Sequence, residues 1–94
     1  MSNMLKAIVA LLSSRKVMVL LEKIDEWGLC YYEDHTLVIR ESLSKDNQVR
    51  TLIHECTHYL YPELSEKSVL SIERDLYKIL DVDTRKFLLI FLEE

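Results

Sequence analysis

Two histidines and a glutamate lie at a spacing that can bind and use a metal ion. The segment His54-Glu55-Cys56-Thr57-His58 fits the pattern H-E-x-x-H. On a helix, residues four apart share one face, so the imidazoles of His54 and His58 can occupy adjacent corners of a zinc tetrahedron. Glu55 then lies beside the metal without binding it, where it can take a proton from water and pass it to a leaving amine. The motif therefore predicts a zinc site for peptide-bond hydrolysis, with Glu55 as general base and acid.

The motif lies on a predicted amphipathic helix. Ser44 is a suitable N-cap, and Pro62 ends the helical pattern. Apolar residues recur along this helix at steps of three and four positions: Val49, Leu52, Ile53, Cys56 and Leu60. At about 100° per residue, His54 and His58 point almost opposite this apolar stripe. They are therefore expected to face solvent or a second lobe of the protein.

A catalytic zinc site also needs a third protein ligand and an open position. A second predicted helix, over positions 66–80, carries Glu66 and Glu73 on its apolar face, where a carboxylate needs a partner such as a metal ion. Glu66 starts near the His58 end of the motif helix, whereas Glu73 reaches the level of His54 if the helices are antiparallel. Each also has a structural interpretation, a helix N-terminus for Glu66 and a surface ion pair for Glu73. Spacing alone leaves both open as the third ligand.

Two further residues of metal-binding type are predicted not to be ligands. Cys56 lies on the apolar stripe of the motif helix, so it is expected to be a small buried core residue. His35 falls in a predicted turn and is expected to lie on the surface.

The region before the motif is harder to assign. About residues 3 to 27 are helical in pattern, with a break near Ser13-Ser14. Gly28 occupies the position of a helix C-terminal glycine. Val17–Leu21 is apolar enough to form a strand instead, so both structures stay open for that stretch.

A hairpin and a short tail complete the predicted elements. Leu29–Tyr32 and Thr36–Arg40 are rich in aromatic and β-branched residues, and Glu33-Asp34-His35 forms the turn between them. Ser65 caps the second helix, and Thr84–Glu94 predicts a short helical tail. The sequence therefore predicts a single α+β domain over residues 1–94, with a small antiparallel sheet beside the helices.

Composition excludes several classes of function. Apolar residues make up 49% of the chain, the net charge is −4, and acidic and basic residues are interspersed, so no basic patch predicts nucleic-acid binding. No apolar run reaches the roughly 18 residues that span a bilayer. The apolar run Ala7–Leu12 is shorter than the core of a signal peptide. Two cysteines suit a reducing compartment, so we expect a cytoplasmic protein without membrane contact.

The segment His54–Leu80, HECTHYLYPELSEKSVLSIERDLYKIL, resembles the zinc-binding core of gluzincin metallopeptidases, and the short chain resembles the minigluzincins in particular. The resemblance implies that His54 and His58 bind zinc and that Glu55 is the general base and acid. The string that follows the motif, Pro62-Glu63-Leu64-Ser65-Glu66, is similar to that of small proteins of this kind, which favours Glu66 as third ligand and keeps Glu73 open. Positions 59 to 65 separate Glu66 from the motif, close to the short end of gluzincin spacing.

The resemblance also implies how a peptide or protein substrate binds. Zincins hold an extended substrate against the edge of their small sheet, so either hairpin strand is a candidate edge. A phenol near the cleft can stabilise the oxyanion, and the candidates are Tyr31, Tyr32, Tyr59 and Tyr61, each of which has sheet or helix packing as the alternative. Minigluzincins resemble latent zymogens, so the apolar tail Phe87–Leu92 either covers the cleft or packs in the core.

Two other functions fit the same residues. A scaffold can keep zinc for stability or for docking a partner, without catalysis. A metal-free helical interaction protein is the third possibility, which predicts that a chelator leaves stability unchanged.

Overall fold

The computed structural model describes residues 2–93, which form four helices and three strands. In chain order these are α1 (Asn3–Ser13), β1 (Met18–Glu22), β2 (Gly28–Tyr31), β3 (Thr36–Arg40), α2 (Lys45–Leu60), α3 (Glu66–Lys78) and α4 (Val82–Ile90). The predicted α+β class is confirmed.

The N-terminal region contains a helix and a strand. The prediction of helix from about residue 3 to residue 27 is therefore confirmed only as far as Ser13. Helix α1 ends at Ser13, and Ser14 is its C-cap, at the predicted break. The apolar stretch that fitted both structures becomes strand β1 because it pairs in register with β3, from Met18 opposite Thr36 to Glu22 opposite Arg40. A partner strand far along the chain thus decides between two local preferences.

The sheet has the order β1-β3-β2. Strands β2 and β3 form the predicted antiparallel hairpin, whose turn places His35 at a positive φ of 50°. Strand β1 runs parallel to β3, so the sheet is mixed and not purely antiparallel. The two edges of this sheet are therefore β1 and β2, and β3 is internal.

One hydrophobic core joins the sheet to the helices. It contains side chains of α1, of the inner face of β3, of α2 and of the C-terminal region, among them Leu5, Ile8, Leu37, Ile39, Leu52, Ile53, Cys56, Leu88 and Leu92. The predicted apolar stripe of α2 thus faces the core, and the burial of Cys56 is confirmed.

The helices that carry the motif begin as their capping residues predict. The Ser44 side chain accepts a hydrogen bond from the backbone N–H of Asn47 at the start of α2, and the Ser65 side chain accepts one from Ser68 at the start of α3. The turn from Tyr61 to Ser65 then brings α3 back against α2.

Across residues 2–93, the helices lack the combination of length and hydrophobicity that crossing a lipid bilayer requires.

Candidate metal centre

Helix α2 has a second buried face opposite its core stripe. His54 and His58 lie on this face with their ring centroids 4.8 Å apart. His54 is 7% exposed because α3 packs over it, so the predicted second lobe is α3. The i, i+4 spacing of the motif and the tight connection to α3 together produce a cleft lined by imidazoles.

Glu66, on the first turn of α3, meets both histidines. Its Oε1 lies 2.7 Å from His54 Nε2, and its Oε2 lies 2.8 Å from His58 Nε2. The three residues each offer one ligand atom within 4.8 Å of the others, so this group could hold a metal ion. The two imidazole nitrogens and the carboxylate form a donor set that zinc accepts.

Glu73, two turns further along α3, meets His54 from the other side. Its Oε1 lies 3.0 Å from His54 Nδ1, and its Oε2 accepts a hydrogen bond from Arg50 Nε at 3.3 Å. Glu73 therefore reaches the level of His54, as an antiparallel helix pair predicts. Of the two candidate third ligands, only Glu66 is placed against the Nε2 atoms of both histidines.

The charges around His54 act on its pKa in opposite directions. Burial lowers the pKa of His54, but its hydrogen bond with Glu73 and the negative charges of Glu55, Glu66 and Glu73 raise it, and the net shift is upward. Three carboxylates thus surround one imidazole, and this excess of negative charge favours a cation at the cleft.

Glu55 also faces the cleft. It is 6% exposed, and within the described residues no hydrogen bond or ion pair reaches its carboxylate. Burial raises the pKa of Glu55 to about 7, the charge of His54 lowers it, and the charges of Glu66 and Glu73 raise it. Glu55 therefore changes its protonation near neutral pH in the metal-free chain.

The cleft has a volume of about 460 Å³. Its walls are the start of β2, the polar face of α2 and one face of α3, and they comprise Trp27, Gly28, Leu29, Cys30, Tyr32, Thr51, His54, Glu55, His58, Glu66, Leu70 and Glu73. Burial and the charge of Glu55 raise the pKa of the Cys30 thiol to about 11, while a hydrogen bond with Tyr32 lowers it. The thiol is therefore neutral at physiological pH.

The sheet offers one edge to this cleft, and it belongs to β2. The prediction that either hairpin strand is an edge is wrong for β3, which lies between the other two strands. Arg40 N donates a hydrogen bond to Trp27 O. Because hydrogen-bonded and free positions alternate along an antiparallel pair, the backbone groups of Gly28 and Cys30 point to the free edge.

Tyr32 alone of the four predicted tyrosines is among the cleft-lining residues that the structure describes. Its hydroxyl donates a hydrogen bond to His58 O at 3.1 Å, and its ring stacks on that of Tyr59. Tyr59 OH in turn lies 2.5 Å from Nδ1 of His35, which is exposed as predicted. Tyr61 is the C-cap of α2, and Tyr31 is an exposed residue of β2.

The apolar tail belongs to the core. Leu88 and Leu92 are fully buried there, and Phe87 and Phe91 pack against it. None of the tail residues that the structure describes lines the cleft. Core packing, the alternative to covering the cleft, is the arrangement found.

Sequence reasoning missed three residues of this region. Arg50 precedes His54 by four positions on the same helix, a spacing that places both on one face. Thr51, also four residues before Glu55, lines the cleft beside it. The sequence pattern predicts a helix end at Gly28, whereas this residue is the first of β2 and lies close to Glu55. One feature of the sequence could have indicated the role of Gly28. It is the single glycine of the chain, and it directly precedes an apolar strand.

Comparison of the chain with protein-family models, with curated proteins and with solved structures gives no match, so its own residues supply the argument for function.

Proposed function

We propose that this chain is a zinc-dependent peptidase of the minigluzincin type. His54 Nε2, His58 Nε2 and the Glu66 carboxylate are the protein ligands. The observation that carries the proposal is the position of Glu66, whose two oxygens each lie within 2.8 Å of one of the two imidazole nitrogens. Three protein ligands with space beside them are typical of catalytic zinc sites, whereas structural sites are closed by four.

The surroundings of the ligands fit zinc as well. Metal-binding histidines usually donate their second ring N–H to a carboxylate, which fixes the tautomer and aims the ligand nitrogen. Glu73 occupies this position at His54 Nδ1. In this proposal Glu66 is the ligand and Glu73 the residue that orients His54.

His54, His58 and Glu66 would hold the zinc ion, and the chemistry that it would supply is Lewis acidity towards a peptide carbonyl and a water molecule. The Glu55 carboxylate accepts the proton of the attacking water and then delivers it to the nitrogen of the leaving amine. A base and acid of this kind works best when its pKa lies near the working pH. Burial raises the pKa of Glu55, whereas the charge of a bound zinc ion would lower it, so the support for this role is the place of Glu55 in the cleft beside the ligands.

The substrate in this proposal is a peptide or an exposed protein segment. An extended chain can add to the free edge of β2 and pair with the backbone groups of Gly28 and Cys30. Tyr32 is the candidate donor to the oxyanion, since it is the tyrosine on the cleft. Its hydroxyl would have to leave the carbonyl of His58 to do so.

The test uses zinc content and peptide hydrolysis together. Wild type is expected to bind about one zinc per chain, and Glu55→Gln to keep that zinc while hydrolysis falls by about 10²–10⁴-fold. Glu63→Gln, an exposed glutamate in the loop before α3, is the matched control and should leave both unchanged. Full activity in Glu55→Gln would contradict the role of Glu55.

The second candidate, a non-catalytic zinc-stabilised interaction domain, is favoured by the fact that the three ligands join α2 to α3. It predicts no hydrolysis by the zinc-loaded wild type and no effect of Glu55→Gln, while His58→Ala lowers the melting temperature. Absence of zinc from wild type, even after its addition, would exclude both candidates.

A further inference from the structure

We infer that Gly28 is the positioning residue for Glu55. The space left by its missing side chain is the space in which the Glu55 carboxylate lies against strand β2. This inference rests on the proposed function for its catalytic meaning, but the steric claim concerns the chain alone.

The contacts at Gly28 leave no room for a Cβ atom unless the neighbouring side chains move. A Cβ atom added there would lie 2.9 Å from Glu55 Oε2, 2.9 Å from Glu55 Cγ and 2.6 Å from Thr51 Cγ2. Non-bonded carbon atoms are in best contact at about 3.5–4.0 Å, so an alanine would force its neighbours to move. The nearest atoms belong to Glu55 and to the residue one turn before it, not to the metal ligands.

Backbone conformation does not account for this glycine. Gly28 has no positive φ, whereas two residues that do, Arg15 at 56° and His35 at 50°, carry side chains. The single glycine of the chain is thus absent from the positions where its conformational freedom would help and present where a backbone approaches a side chain closely.

Glu55 has little else to hold it. His54 is held between two carboxylates, but within residues 2–93 the Glu55 carboxylate has no hydrogen-bonding partner of its own. A buried carboxylate without such a partner is positioned by packing. The Gly28 backbone lies close to the Glu55 Cγ and Oε2 atoms, and the Thr51 side chain lies close to the same point.

The first variant is Gly28→Ala in the full chain loaded with zinc. We expect one zinc per chain to remain, as in wild type, because the ligands are not touched. We expect kcat to fall by about 100-fold with KM little changed, since a misplacement of about 1 Å in a reacting group can have that effect. Loss of zinc, or an unchanged kcat, would overturn the inference.

A second variant separates Glu55 from the general packing of β2 on α2. Thr51→Ser removes the Cγ2 atom that makes the closest contact and leaves both contacts to Glu55. In Gly28→Ala/Thr51→Ser we expect the melting temperature to recover towards that of Thr51→Ser alone while kcat stays low. If the melting temperature and kcat both recover, or if the double variant neither folds nor binds zinc, Gly28 serves strand packing and the inference is wrong.

A crystal structure of the double variant distinguishes this result from a failure of the proposed function. Wild type that binds zinc but hydrolyses no peptide would refute the peptidase proposal, and the position of Glu55 can still be read directly. We expect the Glu55 carboxylate to move away from β2 while His54, His58 and Glu66 keep their places. An unmoved Glu55 would overturn the inference.

Discussion

Glu66 and Glu73 lie on either side of the same imidazole, yet their surroundings differ. The Glu66 side chain is 62% exposed and reaches the Nε2 atoms of both histidines, whereas the Glu73 side chain is 14% exposed and lies between His54 Nδ1 and Arg50. The exposed carboxylate has few contacts that fix it apart from the histidines. The half-buried carboxylate of Glu73 is held by His54 and Arg50 whether or not a metal is bound.

In the proposed function, this difference gives the two carboxylates different tasks. A ligand at an open site must reach the metal from the rim, where substrate and water also arrive. An orienting residue must keep one histidine nitrogen aimed, which calls for a partner held by other contacts. Burial and hydrogen bonding thus distinguish two glutamates that share one helix face.

The largest effect is expected from Glu66→Ala. Removing a ligand should weaken zinc binding by more than the 10–100-fold that loss of an orienting partner causes. Elemental analysis after dialysis against a weak chelator, followed by titration calorimetry, measures this loss. Retention of zinc at wild-type affinity would reverse the roles of the two glutamates.

Removal of zinc from wild type should have the next largest effect. At free zinc about 100 times Kd, binding stabilises the folded chain by about 2.7 kcal/mol, which raises Tm in a chain of this size by roughly 10–20 °C. Thermal unfolding followed by circular dichroism, with and without a chelator, measures the shift. Glu66→Ala is the control, and a chelator should leave its Tm unchanged.

Glu73→Gln is expected to lower zinc affinity by about 10–100-fold and leave one zinc bound at saturation. The amide keeps the shape of the side chain but no longer accepts the N–H of His54 as a charged partner. Asp75→Asn, an exposed change on the same helix, is the matched control. Loss of zinc as complete as in Glu66→Ala would make Glu73 a ligand.

The smallest effect is expected from Arg50→Met, which retains the apolar stem. The Arg50 side chain is 36% exposed, so its ion pair with Glu73 should contribute less than about 1 kcal/mol to folding. Its guanidinium also lies 4.8 Å from the ring centre of Tyr77, a contact of similar size. Urea unfolding of the zinc-free protein, with Arg74→Met as control, measures the combined contribution of these two contacts to the free energy of unfolding. A loss above about 3 kcal/mol would mean that Glu73 is stranded without its partner.

The sequence was sufficient to predict the helices of the site, but it left open whether β1, at the far edge of the sheet, is a strand. Helices α2 and α3 have caps and apolar periodicity, which are local signals, and both begin where those signals predict. Strand β1 depends on pairing with β3, which begins after an intervening hairpin strand, and no local signal reports that pairing.

The sequence left the third ligand undecided between Glu66 and Glu73 for a similar reason. Both lie on one face of α3, and a spacing of seven residues on a helix says only that they share that face. The distances to His54 and His58 depend on how α3 turns back after Pro62. Gly28 was assigned wrongly because a glycine after a helical pattern resembles a helix end when the approach of a distant side chain is unknown.

Strand β1 leaves the other edge of the sheet unpaired within residues 2–93. Met18 N donates a hydrogen bond to His35 O, and Glu41 N donates one to Glu22 O. Because successive residues of a strand face opposite sides, the backbone groups of Val19 and Leu21 point to the free edge. An open, apolar strand edge is a template for aggregation, and charges at its ends oppose this. Lys16, Glu22 and Lys23 supply such charges, all of them exposed. In the proposed function, the two edges of one small sheet therefore face opposite demands, since the β2 edge binds an extended chain and the β1 edge must not.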